Sequence, residues 1–127
     1  MLNIAQLQSH AHDVEKVKLS FEWQEGVGKS KKTVSGECWL LTDKSLSFAA
    51  KQRATTATAR QDLLELNLCL LVDRIRFGDD GSEKLNSATA RQMVEQPNEL
   101  FSALIDAAYV KIKALRDEQG EAEEAKN

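Results

Sequence analysis

The stretch from Leu63 to Asp117 constrains the fold more than any other part of the chain. It opens on a crowded apolar run of Leu63, Leu64, Leu66, Leu68, Leu70, Leu71, Val72 and Ile75. A surface helix carries one apolar stripe, whereas a helix that is apolar around most of its circumference must be covered on several sides. The run therefore predicts a helix from Arg60 to about Arg74, buried on more than one side. The turn Phe77-Gly78-Asp79-Asp80-Gly81 follows, then a short helix near Ser87–Gln96 and a long one near Pro97–Glu118. This is an architecture for packing and for contacting other proteins.

With 127 residues, the chain suits one domain with a core that needs no staples. Apolar residues at 42%, charged residues at 29% and a net charge of −3 place it among ordinary soluble globular proteins. The acidic balance supplies none of the basic field that nucleic-acid binders present, so no nucleic-acid partner is expected. Cys38 and Cys69 lie in apolar runs without CxxC spacing and predict buried thiols in a reducing compartment. The opening Met1-Leu2-Asn3-Ile4-Ala5-Gln6 lacks a basic, then apolar, leader pattern. No segment approaches the roughly 20 apolar residues of a membrane span, so no membrane partner is expected.

Residues 1–13 predict a flexible arm, 14–118 a single globular domain and 119–127 a charged flexible tail. From Val17 to Trp23 the apolar residues fall on odd positions, the period of a half-buried strand. Gln24 to Lys32 predicts an exposed tip, and Thr33 to Leu41 the returning strand, bulged at Gly36. Thr42-Asp43 predicts the start of a short helix carrying Leu46 and Phe48 and ending near Arg53. Ala54 to Ala59 is either a linker or a weakly packed helix start. Ile75 and Phe77 predict a short extended piece, and Asp80-Gly81 a tight turn into a return at Lys84-Leu85. Asn86 or Ser87 caps the next helix, and Pro97 suits the first turn of the last one. The fold class is α+β and mostly helical: an N-terminal β-hairpin, then a bundle of three to four helices with a small β-turn hairpin between them.

No catalytic, cofactor-binding or metal-binding residues are assigned. Gly28-Lys29-Ser30 resembles the end of a phosphate-binding loop, but Trp23 stands where the first glycine is required and the segment lies in a hairpin tip. Lys29, Lys31 and Lys32 are more simply a solvated basic tip. Asp79-Asp80-Gly81 lacks the alternating acidic positions of a calcium loop, and Ser87 stands where its glutamate is required. His10 and His12 sit in the predicted arm, a poor place to hold a ligand or a proton in register. The clearest helical periodicity belongs to Leu100, Phe101, Leu104, Ile105, Ala108, Ile112 and Leu115, with Tyr109 at the margin of that face; Leu100, Phe101, Leu104, Ile105, Ala108, Tyr109 and Ile112 are the candidate partner-binding residues. That face is ordinary core or, if left partly open, a stripe for self-assembly and partner binding.

The order of these elements resembles the tail assembly chaperones of long-tailed bacteriophages, the HK97-type protein in particular. The residues that carry the resemblance are Cys38-Trp39-Leu40-Leu41-Thr42, Leu68-Cys69-Leu70-Leu71-Val72, Phe77-Gly78-Asp79-Asp80-Gly81, Glu83-Lys84-Leu85 and Gln96-Pro97-Asn98-Glu99-Leu100. It spans about Val14 to Arg116 and its motifs are structural. The resemblance implies a late viral protein, encoded by a phage or prophage, that binds and solubilises the tape measure protein. It implies recruitment of the major tail (tube) protein, self-association into a homo-oligomer, action in the host cytoplasm and absence from the mature virion. Such work needs no cofactor and no enzymatic residue. Members of that family often have a frameshifted longer form, and Ala125-Lys126-Asn127 could be encoded by the run of adenines such a slip uses.

Two other readings stand beside it. A small cytosolic adaptor or regulatory domain would bind one protein partner. Nucleic-acid binding would use Lys29, Lys31, Lys32, Lys51 and Arg53, against the acidic balance of the whole.

Overall fold

The computed structural model describes residues 1–9 and 14–126. It is an α+β structure with 56% helix and 21% strand, mostly helical as the sequence predicts. In chain order the elements are α1 (Ile4–Ser9), β1 (Lys16–Glu25), β2 (Lys32–Leu41), α2 (Phe48–Ala59), α3 (Leu63–Asp73), β3 (Ile75–Arg76), α4 (Ser87–Val94) and α5 (Glu99–Lys126).

β1 and β2 form an unbroken antiparallel hairpin in which Lys16 pairs with Leu41 and Glu25 with Lys32. Both strands run further than their apolar alternation, so the tip shrinks to residues 26–31, with a single 3-10 turn at Gly28–Ser30. The odd positions of β1 face the core as expected: Leu19 is buried, and Val17 and Phe21 pack against the buried cluster. Gly36 is not a bulge. It pairs in register with Phe21, and a side chain there would meet the ring of Trp23 at 2.7 Å. The glycine is the space in which that indole lies. A pleated surface lets a large cross-strand neighbour lean over a residue that has no side chain.

The helix predicted at Thr42-Asp43 starts later. Asp43–Ser45 forms a 3-10 turn, and Ser47 is the cap of α2, its hydroxyl accepting from the Ala50 N–H at 3.1 Å. α2 then continues through Ala54–Ala59, the stretch left open as linker or helix. Arg60 to Asp62 reverse the chain, with Gln61 in the left-handed region at φ 54°. Asp62 caps α3 by accepting from Glu65 N–H at 3.0 Å. Leu68, Cys69, Leu70 and Leu71 are all buried, because α3 carries α2 on one side and α4 and α5 on others. Leu63 and Leu64, in its first turn, stay exposed at 74% and 53%.

The expected β-turn hairpin is partly absorbed into the main sheet. Ile75–Arg76 pairs with Leu40 and Trp39 as a third strand, giving the order β1-β2-β3. Only the single bridge from Phe77 to Glu83 remains of the small hairpin, and the return lies at Glu83 rather than Lys84-Leu85. Gly78 and Gly81 both have positive φ, and the turn folds over the outer face of the sheet, where Trp39 Nε1 donates to Gly78 O at 3.1 Å. Asn86 caps α4 by accepting from Thr89 N–H at 2.8 Å. Asn98 caps α5, accepting from Phe101 N–H at 3.0 Å, so Pro97 precedes the helix rather than standing in its first turn.

Both ends of the chain differ from expectation. Within the predicted arm, Ile4–Ser9 is helical; residues 10–13, which include His10 and His12, lie outside the described residues. The last helix does not close near Glu118 but runs on to Lys126, so the predicted flexible tail is helical over its described length. Its residues beyond Asp117 are mainly Glu, Gln, Ala and Lys, good helix formers that outweigh one glycine.

Arg74 ties these layers together where α3 meets β3. Its carbonyl accepts from Leu41 N–H at 2.9 Å, its Nε donates to Leu41 O at 3.0 Å, and its guanidinium pairs with Asp43 at 2.8 Å. Two outcomes are expected from this architecture. Arg74→Met should lower unfolding free energy by about 2 kcal/mol in urea titrations, the scale of hydrogen bonds to a charged group. Gly36→Val should cost about 1–3 kcal/mol by overpacking, and a double-mutant cycle with Trp23→Ala should recover most of it.

Candidate protein-binding groove

α2 and α5 both lean on α3 and have little direct contact with each other. The side chains explain the gap. The wall contributed by α2 consists of Ala50, Ala54 and Thr58, small residues four apart and so on one face. The floor is the matching face of α3, with Leu66, Cys69, Leu70 and Asp73, and the opposite wall is Tyr109, Ile112 and Arg116 of α5. Leu46 closes one end. The result is an open, mainly apolar groove of about 230 Å³.

The rim is polar but its charges are already matched. Asp73 accepts both arms of Arg53, at 2.8 and 2.7 Å. Asp43 accepts from Arg116 at 2.9 and 3.2 Å while also pairing with Arg74. Tyr109 donates to Asn67 Oδ1 at 2.8 Å. The Arg116 hydrogen bond, followed by the Arg74 charge, holds the Asp43 carboxyl below the usual carboxylate range against the opposing effect of partial burial. Burial pushes the Arg74 guanidinium downward, an effect its pairing with Asp43 opposes. On the floor, burial raises the Cys69 thiol. Cys38, in the sheet, is raised to about 11 by the same cause, and both cysteines are free and buried.

The partner-binding face predicted on the last helix is largely core. Leu104 and Ile105 are buried at 2% and 6% exposure, Ala108 and Ile112 are likewise enclosed, and Leu100 and Phe101 are half-buried. This face is occupied because α5 lies along β1. Tyr109 and Ile112 are the two predicted residues that also reach the groove. Ala50, Ala54, Thr58, Leu66 and Leu70 were not expected to contribute. The signal that could have found the first three is their four-residue spacing within the Ala- and Thr-rich stretch.

Gly28-Lys29-Ser30 lies between two strands, not between a strand and a helix, and Lys29, Lys31 and Lys32 are exposed at the tip. Among the described residues no group of three or more acidic, His or Cys side chains is placed to hold a metal, and no helix is long and apolar enough to cross a membrane. Comparison of the chain with protein-family models, with curated proteins and with solved structures finds no match.

The depressed Asp43 sets the sign of one pH effect. A carboxylate whose folded pKa lies below its unfolded value of about 3.9 contributes stability above that pH, and the contribution fades as pH falls through the folded value. In unfolding measurements from neutral pH into acid, Asp43→Asn should start less stable and lose less below about pH 4 than the parent chain.

Proposed function

We propose that the protein is a tail assembly chaperone of a long-tailed bacteriophage and that it holds an apolar helical segment of the tape measure protein in the groove between α2 and α5. The groove is the observation that supports this reading most directly. An amphipathic helix laid into an apolar groove is held through its own side chains at i, i+3, i+4 and i+7, and Leu66, Cys69 and Leu70 offer such a helix an apolar floor. Paired charges on the rim keep the surface wet at its edge and leave the apolar floor to supply the attraction. A small interface of this kind releases its client readily, as an assembly factor must.

On this proposal the chaperone works in the host cytoplasm, recruits major tail (tube) protein to the tape measure, self-associates while doing so and is absent from the mature virion. No cofactor and no catalysis enter. The alternative is an adaptor or regulatory domain with a single protein partner, which the same open groove would also serve.

Co-expression with the tape measure protein of the same phage separates the two. The chaperone reading expects soluble tape measure protein that co-purifies with the chain, and loss of that retention in Ala54→Trp, which fills the groove from the α2 wall. A chain that stays monomeric and never retains tape measure protein overturns it. Gene order gives an independent check: the coding sequence should lie between a tail tube gene and a very long tape measure gene.

A further inference from the structure

The groove leaves an apolar surface open, and α1 presents an apolar surface with nothing against it. Ile4 and Leu7, three apart and so on one side of α1, are 74% and 66% exposed, and Leu2 is 70% exposed. A six-residue helix has no stability of its own in water, since it closes too few turns to offset nucleation. Yet this one is specified locally. Asn3 Oδ1 accepts from Gln6 N–H at 2.9 Å, and Gln6 Oε1 accepts from Asn3 N–H at 2.8 Å. That is a reciprocal capping box, and Leu2 and Leu7 stand at the two positions of a hydrophobic staple. A segment that encodes both a helix start and an apolar face is built to be covered.

We propose that α1 is a strap for the α2–α5 groove of its own chain, with Ile4 and Leu7 entering between Ala54 and Ile112. The chain path supports this occupant over a second copy. Glu15 is anchored beside the groove: its carbonyl accepts from Thr42 N–H at 3.1 Å, and its N–H donates to Ser45 Oγ. Arg74 and Arg116 border both the cleft that holds Glu15 and the groove itself, so Glu15 lies near the groove mouth. Six chain steps from Ser9 to Glu15 reach at most about 20 Å. The α2 wall from Ala50 to Thr58 is about 12 Å long and α1 about 9 Å, so the strap fits within its tether. Covalent attachment makes an encounter with the chain's own groove intramolecular, whereas a separate copy's encounter depends on concentration. Charge agrees as well. Ile4–Ser9 carries no charged residue, and the rim charges are paired among themselves, so the seated helix meets no unmatched charge. The strap stands whether or not the eventual partner is a tape measure protein. Any helix that enters the groove must displace it.

The test uses the full chain with a nitroxide label on Gln8→Cys; the native cysteines are buried and Cys38→Ser/Cys69→Ala removes them where labelling is not selective. Methyl resonances of Leu66, Leu70 and Ile112 should lose at least half their intensity, those of Val27 at the hairpin tip, the far end of the ten-residue β1 from Glu15, should not, and Ile4→Asp/Leu7→Asp should restore the groove signals. Unchanged groove methyls in the labelled chain overturn the strap. So does broadening seen only when labelled chains are mixed with separate isotope-enriched chains, which would assign the arm to a second copy.

Discussion

Arg74 is the joint on which the rest of the structure hangs. It sits where the helical half of the chain hands over to the third strand, and it is 7% exposed. A guanidinium so enclosed is tolerable only when its donors find partners, because a buried unpaired charge is far more costly than a buried paired one. Leu41 O, at the end of β2, and Asp43, in the 3-10 turn just beyond it, supply them. The same residue's carbonyl accepts from Leu41 N–H, so backbone and side chain lock one register. Asp43 then passes the connection on to Arg116, which fixes α5 to the same corner. A strand end, a helix end and the long helix thus share one charge network, in which Arg74 is the buried member.

With that corner set, α3 acts as the pillar. Its crowded leucines give it several apolar sides, and each side takes a different neighbour. α5 completes the core by laying Leu104, Ile105, Ala108 and Ile112 on the sheet. α2 packs chiefly against α3, through small residues, and therefore stands apart from α5. The groove follows from this difference in side-chain size along otherwise similar helices. Binding, on the reading proposed, draws on a surface that the core had no large residue to fill.

The legible parts of the sequence were those governed by local chemistry. The odd-position alternation in β1, the buried α3 and the Asn86 cap follow from period and from side-chain oxygens next to orphan N–H groups. Where two local signals competed, the sequence misled. Thr42-Asp43 has the composition of a cap, but Ser47 holds that role because Thr42 is buried and its hydroxyl faces the Glu15 carbonyl at 3.4 Å. Gly36 suggested a bulge, yet what it accommodates is an indole from the neighbouring strand. The apolar face of α5 was visible, but periodicity is the same for a face that is core and a face that is free.

The sequence by itself determined the class of fold, the hairpin, the multiply buried helix and most element starts, since these depend on neighbours within a few residues. Tertiary structure alone decided that Ile75–Arg76 joins the main sheet, that the α5 face is covered, and that an open groove runs between α2 and α5. Those features depend on which distant surfaces meet. A strand of two residues has no period to detect, and a groove belongs to the gap between helices rather than to any one of them.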